Sequence, residues 1–396
     1  MKLNVAVFFG CRSVEHEVSI ISAVQAMRAM NRDKYDITPV YVTKQGVMYS
    51  SSAMFEIENF RDIGKLLGES EEVTFVKKAD GVFMHPVNRK AFRKVKEVKI
   101  DLAFPIVHGT NCEDGTIAGY FEFLGLPYIS CDIISAAVGM DKAVFKDVLS
   151  AAGLPVLGCV RFTAREYMLG GAEISEKIKT QVGFPLIVKP INLGSSVGIS
   201  KVKTENELDE AIRLAMSFAD RILVERAVCN LREINCSVLG DGDDCAASVC
   251  EEPFMHDEIL SYKDKYEGGA KDGPSKGMAS LGRKIPADIP DELSERIRDI
   301  SCRIFKAIGA SGVVRIDYLL DNKSGEIYAN EINTIPGSLA FYLWEATGTK
   351  YSELIDKLVD TAFRRERKRE NLRYTIDTNI LSGVSFGSKG SRVSKF

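Results

Sequence analysis

The chain has 396 residues, more than one ordinary hydrophobic core supports, so two or three domains are expected. Apolar residues make up 45% and charged residues 27%, with a net charge of −3, which excludes a general attraction for nucleic acid or an anionic membrane. No apolar run approaches the ~20 residues that span a bilayer, and nine scattered cysteines, odd in number and without a Cys-x-x-Cys pair, favour reduced thiols in the cytoplasm.

Leu3 to Phe9 reads as a strand with no basic leader or cleavage site before it. Its run Val5–Phe9 is apolar throughout, as in a parallel strand buried on both faces. Gly10-Cys11-Arg12-Ser13 and then a helix to about Met30 follow, which places backbone amides at the carboxyl edge of a sheet, where α/β proteins bind ligands. There is no Gly-x-Gly-x-x-Gly, so a dinucleotide fingerprint is unsupported. Glu15 and Glu17, in the first turn, serve either the helix dipole or a substrate. Tyr35–Thr43 gives a second strand, and residues 50–98 read as an elaboration of this unit. Asp101–Val107 is a further buried strand, ending in His108-Gly109-Thr110-Asn111-Cys112-Glu113-Asp114-Gly115, a polar loop where binding loops sit. His108 alone is weak evidence, because a histidine satisfied within the structure is the commoner case. A helix over 117–124 and a short strand Pro127–Ser130 close the unit.

Asp141-Lys142 opens a helix to about Ala152, and a lysine in a first turn is a poor dipole partner. The strand Phe184–Pro190 carries Lys189 and runs into Gly194-Ser195-Ser196-Val197-Gly198, either a phosphate-holding cover or an ordinary hairpin turn. It is no Walker A loop, because the Gly-Lys-Ser/Thr order is missing and a strand follows. Thr204 and Glu207 read as a capping box for a helix to Phe218. Arg221–Arg226 is a strand ending near Glu225, which is either a ligand contact or a surface residue. Strands Glu233–Gly240 and about Ala246–Glu251 continue an antiparallel sheet, and residues 262–284 are long enough to be a lid. Asp291–Ala310 is an amphipathic helix, a last helix covers about Tyr351 to Arg369, and the tail from Asn371 is basic and Ser/Gly-rich.

Between those helices, Arg315–Leu320 and Asn330–Thr334 read as two strands joined at Asp321-Asn322-Lys323-Ser324-Gly325. Residues two apart share a face, so Arg315 goes with Asp317 and Glu331 with Asn333. If the connection holds an odd number of residues, all four point one way. Two carboxylates, an amide and a guanidinium together suit Mg²⁺ bridging phosphates; an amphipathic hairpin with a solvated polar face is the other reading.

In this order the segments resemble the ATP-grasp superfamily and, within it, the D-alanine–D-alanine ligases. The strongest carriers are Val188-Lys189-Pro190 with Gly194–Gly198, Val314-Arg315-Ile316-Asp317, and Asn330–Gly337; Ser13–Ser19, His108–Thr116, Met140-Asp141-Lys142 and Tyr262–Tyr266 support them. The resemblance covers roughly residues 3–360, apart from 50–98. It implies an α/β, three-domain ATP-grasp fold: a Rossmann-like parallel-sheet domain over 1–135, a central subdomain over 136–228, a C-terminal subdomain over 229–370 with the lid 262–284, and the tail 371–396.

What the resemblance implies about the site follows. Lys142, Lys189, Ser196 and, from the lid, Lys265 would contact ATP; Glu225, Arg226 and the backbone to Val228 would take the adenine, and Glu233 the ribose, although the Glu225–Glu233 spacing is one residue longer than the family's. Asp317, Glu331 and Asn333 would ligate two Mg²⁺, with Mn²⁺ as an admissible substitute. Glu15 would hold the first amino acid's ammonium and form, with Ser195 and Tyr266, a set that locks the lid. His108 would lie near that amino acid, and Arg315 with the Gly337 amide would stabilise the oxyanion. The implied activity is ATP-dependent joining of two D-alanines through an acyl phosphate, for peptidoglycan precursors, by a cytoplasmic homodimer. Three departures stand out: Cys11 and Cys112, where the family has small glycines, and Ser338–Trp344, where it has a Ser/His run. That aromatic stretch, with Tyr342 as a substrate contact, keeps open a ligase for another amino acid pair. A non-catalytic ATP-binding protein of the same fold is the rival from another class.

Overall fold

The computed structural model describes residues 2–88, 97–194, 197–242, 244–253 and 282–384. The expected contributions of Ser195, Ser196, Lys265 and Tyr266, and all of the lid but its last three residues, lie outside them.

The apolar N-terminal run forms β1 (Leu3–Gly10), followed by α1 (His16–Ala29) and β2 (Tyr35–Val42). The elaboration is part of the same sheet: β3 (Met48–Ser50), a short α2 (Ile63–Gly68), β4 (Glu71–Lys78), β5 (Gly81–Pro86) and β6 (Val98–Ile100) lead to β7 (Leu102–Pro105). The order is β6-β5-β4-β3-β2-β1-β7, in which β1 pairs in parallel with β2 and β7 while the other ladders are antiparallel. The sheet is therefore mixed, with a parallel centre. β1 is buried on both faces, which its unbroken apolar run requires. Pro127–Ser130 contributes a single bridge, Ala103 to Tyr128, instead of the expected strand. α3 (Thr116–Leu124) follows the His108 loop.

α4 (Ile133–Met140), unanticipated, is followed by α5 (Lys142–Ala151), whose start is fixed by Asp141 accepting from the amides of Ala143 and Val144. A four-stranded sheet comes next: β8 (Cys159–Thr163), α6 (Ala164–Gln181), β9 (Leu186–Pro190), β10 (Ser200–Val202), α7 (Leu208–Met216) and β11 (Arg221–Arg226), in the order β10-β9-β11-β8. The capping box expected at Thr204 forms only in part. Glu207 accepts from the Thr204 hydroxyl and the Lys203 amide, and residues 205–207 make a 3₁₀ turn before α7. The reciprocal box is at Thr163 and Glu166, opening α6.

The third sheet holds β12 (Leu231–Asp241), β13 (Asp244–Pro253), β14 (Arg283–Lys284), β15 (Ser311–Asp321) and β16 (Ile327–Asn333), in the order β14-β13-β12-β15-β16. α8 (Asp291–Ala307) buries Ile297, Ile300, Ile304 and Phe305 against it. A short α9 (Phe341–Ala346) and α10 (Tyr351–Glu370) end the described structure apart from an exposed stretch with one 3₁₀ turn at Ile380–Gly383. α10 returns to the first sheet: Leu354, Ile355, Leu358 and Val359 join its core, and Asp356 bonds Lys34 and Tyr35 at 2.6 Å each. The apolar stripe of one helix thus ties the first and last parts of the chain together. Among the described residues, no helix is long and apolar enough to cross a membrane.

Candidate active site

The β15–β16 connection does not by itself meet the odd-number condition for a common face. Leu320 pairs with Ile327, so residues 321–326 form the connection, an even number that would turn Glu331 away from Asp317. A bulge restores the match. Tyr318 pairs with Ala329, but Asp317 pairs with Glu331, leaving Asn330 as the extra residue. Asp317 therefore stands opposite Glu331 and Arg315 opposite Asn333. The bulge also gives Asn330 a direction of its own, and its Oδ1 accepts from Lys189 Nζ at 2.9 Å.

The same register extends across the sheet. Glu251 on β13, Asn235 on β12, Asp317 on β15 and Glu331 on β16 are successive direct partners, so four polar side chains share one face in one row. Arg315 forks onto Asp317 with two bonds of 2.7 Å, and Asn333 Nδ2 donates to Asp317 at 3.1 Å. Burial works against the charge on Arg315, but Asp317 outweighs it and raises the guanidinium pKa further. Lys142 Nζ lies 3.2 Å from Glu331 and donates to the Leu193 carbonyl at 2.7 Å. Two carboxylates and the amide oxygen of Asn333 are hard donors and fit a small divalent cation. Among the described residues, no three His, Cys, Asp or Glu side chains converge as a self-sufficient cage, so such a cation would need further oxygens from its ligand.

This row separates two adjoining cavities. One, of about 430 Å³, opens between the four- and five-stranded sheets and is lined by Ile187, Lys189, Lys201, Arg226, Val228 and Leu319. The other is lined by Glu15, His108, Glu113, Arg283, Arg315 and Gly337. Lys142, Glu233, Asp317 and Glu331 border both. Glu233 thus sits at the junction. Arg226 donates to the Tyr328 hydroxyl at 2.6 Å and stacks over its ring. Glu225 is buried and held by Lys189 at 2.5 Å and Lys146 at 2.8 Å. Burial opposes its ionisation, yet the two lysines prevail and hold its carboxyl at about 2. Its side chain is thereby committed within the protein. Lys146 escaped the sequence reading, although its spacing of four from Lys142 puts both on one face of α5.

In the smaller cavity, the Glu15 carboxylate lies against Gly109. A Cβ there would meet Glu15 Oε2 at 2.5 Å and Ser13 Oγ at 2.6 Å, and φ is +79°, so both space and backbone require glycine. The position a Cβ would take on Gly194 is 3.5 Å from the same oxygen, so Glu15 reaches the end of the Gly194 loop. His108 is buried and tied twice: Nδ1 donates to the Ile335 carbonyl at 2.8 Å, and Nε2 accepts from the Ser22 hydroxyl at 3.0 Å. Ser22 Oγ in turn accepts from the Ser338 amide at 3.0 Å, and that chain assigns the imidazole proton to Nδ1. Burial lowers the His108 pKa, keeping the ring neutral. Glu113 accepts from the amides of Gly109 and Ile335 at 2.7 and 2.8 Å, while burial and the nearby Glu15 push its pKa up to about 8. It clamps the His108 loop to the segment before Gly337. Cys11 and Cys112 prove to be one feature: both are buried, and the Cys11 thiol interacts with that of Cys112, which raises the Cys112 pKa.

Two family models match: "D-ala D-ala ligase N-terminus" over residues 4–131 and "D-ala D-ala ligase C-terminus" over residues 148–360. The chain belongs to the D-alanine–D-alanine ligase family. A D-alanine–D-alanine ligase of Acetivibrio thermocellus is 39% identical, covering 92% of this chain and 96% of the relative. One from Thermosipho melanesiensis is 37% identical over 96% and 98%. Among solved structures, the D-alanine–D-alanine ligase of Coxiella burnetii superposes with a TM-score of 0.77 at 28% identity, covering 93% and 96%. The VanG D-Ala:D-Ser ligase of Enterococcus faecalis gives 0.76 at 31%, covering 91% and 100%. Membership makes the chain an ATP-using ligase.

Proposed function

We propose that the chain joins two D-alanines to D-Ala-D-Ala with ATP and Mg²⁺, for peptidoglycan precursors. The observation that carries this reading is the Asp317–Glu331 pair, with Arg315 and Lys142, standing where the nucleotide-sized cavity meets the smaller one. ATP in the larger cavity points its phosphates at the junction. Asp317, Glu331 and Asn333 would hold Mg²⁺, which when bound would neutralise phosphate charge. Lys142 and Lys189 add point charges, each fixed in place by a partner.

In the smaller cavity Glu15 binds the ammonium of the first D-alanine, and the neutral His108 beside it adds no cation that would compete for that carboxylate. The carboxylate of this D-alanine attacks the γ-phosphorus, the bond to the β-phosphate oxygen breaks, and acyl phosphate and ADP form. The amine of the second amino acid then attacks the acyl carbon. Arg315, fixed by its two bonds to Asp317, and the Gly337 amide stabilise the oxyanion until phosphate leaves. We assign the enzyme to the cytoplasm as a homodimer; light scattering tests the dimer.

The decisive experiment is mass spectrometry of products formed from D-alanine, ATP and Mg²⁺, with ADP counted. One ADP per D-Ala-D-Ala supports the reading. ADP formation only when a different second amino acid is present supports a different pair, the alternative that Tyr342 and its neighbours favour; no ADP with any pair leaves an ATP-binding protein.

A further inference from the structure

Six of the nine cysteines meet in pairs. Cys236 stands opposite Cys250 in the register of β12 and β13, and Cys245 meets Cys302 between β13 and α8. The third pair, Cys11 and Cys112, joins the two loops that carry Glu15 and His108. β1 and β7 are neighbouring parallel strands, so the turns that follow them come together. Asn111 Nδ2 donates to the Arg12 carbonyl at 3.0 Å, and Ser13 Oγ lies 2.6 Å from where a Gly109 Cβ would stand. At this seam the two thiols share a hydrogen bond, with Cys11 5% and Cys112 1% exposed. That bond, and then burial, raise the Cys112 pKa, so Cys112 keeps its proton and donates it to Cys11, the less deeply buried sulfur. Cys11 also has a φ of 72°, where an L side chain crowds the backbone and glycine fits without strain. The turn itself therefore does not call for a thiol.

We propose that Cys11 and Cys112 are a site of reversible oxidation, where peroxide closes a disulfide that disables binding of the first amino acid. Cys11 sulfur attacks one peroxide oxygen, the O–O bond breaks, and Cys11 sulfenic acid and water form. Cys112 sulfur then attacks the Cys11 sulfur, the S–O bond breaks and a second water leaves, so two electrons have passed from the thiols to the peroxide. An S–S bond is ~2.0 Å long, shorter than a hydrogen-bonded contact between thiols, so the two loops must draw together. They have no slack where they meet, because Gly109 stands against Glu15 and Ser13 without room for a Cβ. The Cys11 carbonyl accepts from the Ser13 amide at 3.1 Å and from His16 Nδ1 at 2.6 Å, on either side of Glu15. Cys112 adjoins Glu113, which holds the Gly109 and Ile335 amides. Closure therefore displaces the Glu15 carboxylate, and a misplacement of about 1 Å can cost about a hundredfold. The claim on D-alanine rests on the ligase reading; the cross-link does not.

The full-length protein is treated with hydrogen peroxide until the exposed Cys229 is oxidised, which shows that the oxidant has acted. A non-reducing peptide map and calorimetric titration with D-alanine are then read beside the steady-state rate. We expect peptides joined through Cys11 and Cys112, a Kd and KM for D-alanine raised roughly tenfold or more, and recovery of both with dithiothreitol. Cys11→Gly, which suits the left-handed turn, should keep the untreated rate and hold its affinity for D-alanine through the same treatment, as should Cys112→Ser. Cys229 is oxidised in all three proteins, so the difference between them isolates the pair. A map without the Cys11–Cys112 link overturns the site. So does a link that leaves D-alanine binding unchanged, or a loss of binding that Cys11→Gly shares, which would assign the effect to another thiol. If the untreated protein neither makes dipeptide nor binds D-alanine, the ligase reading falls, and the map with its reversal by dithiothreitol still decides whether the pair is oxidised.

Discussion

Two charged clusters near each other in the molecule use the same side-chain types to opposite ends. Around Glu225, Lys189 and Lys146 close on one buried carboxylate, and the charges are satisfied inside the protein. Around Asp317, an arginine, an asparagine and a facing glutamate surround a carboxylate that borders two cavities. The first cluster fixes Lys189 at the edge of the larger cavity. The second leaves oxygens for a ligand. Both carboxylates line a cavity, so what separates them is burial: the Glu225 side chain is 2% exposed between its two lysines, whereas that of Asp317 is 13% exposed, which is why Glu225 and Asp317 look alike until the fold parts them.

The sharpest way to break this comparison is to cut each cluster in turn. Arg315→Gln should lower kcat by roughly a hundredfold or more, the loss seen when one preorganised donor at a developing oxyanion is removed, while the thermal unfolding midpoint changes far less than in Glu225→Gln. Glu225→Gln should cost about 3–5 kcal/mol of stability, because it leaves two buried lysines without their counter-charge. Denaturant titration of both variants beside steady-state rates would show whether chemistry and stability divide in this way.

A smaller effect belongs to the same carboxylate. Its folded-state pKa of about 2 lies below the ordinary 4.5, so its contribution is complete above the unfolded value and is lost as pH falls from 4.5 toward 2. The amount is roughly 3 kcal/mol. Unfolding followed against pH should show this acid limb in the wild type and a flatter one in Glu225→Gln; equal limbs would mean another group titrates. Smaller again is Asn330→Ala, which removes one of the two partners of Lys189 Nζ and leaves Glu225 as the other, and should raise the KM for ATP by about tenfold or less, the worth of one hydrogen bond to a charged group. Finally, Cys229 is exposed and lines the larger cavity. Its alkylation, followed by peptide mass mapping, should slow when ATP is added, whereas Cys159 outside that cavity should be indifferent.

Much of the catalytic face is legible in the sequence. Period-two alternation puts Arg315 with Asp317 on one face of their strand and Glu331 with Asn333 on one face of theirs, and those two pairings survive because strand geometry is local. The bulge at Asn330 is not legible, since no glycine or proline marks it and only the register with β15 shows it. The row's extension through Asn235 and Glu251 has a weaker signal, the alternation Glu233-Ile234-Asn235-Cys236-Ser237, but its meaning depends on which strands are neighbours. The Arg283–Tyr342 contact joins residues about sixty apart, and the meeting of Cys11 with Cys112 joins residues about a hundred apart. No periodicity encodes such pairs, which arise from how whole elements pack.

Whether the row ending in Asp317 and Glu331 carries the chemistry is tested most directly by one comparison. Mg²⁺-dependent D-Ala-D-Ala formation from D-alanine and ATP is measured in the wild type and in Asp317→Asn, which keeps size and shape while removing the charge. We predict that the wild type makes dipeptide with one ADP per product, and that Asp317→Asn binds ATP, keeps a folded structure and loses turnover by roughly a hundredfold or more. Undiminished turnover in Asp317→Asn, with the same dependence on Mg²⁺, would contradict that role.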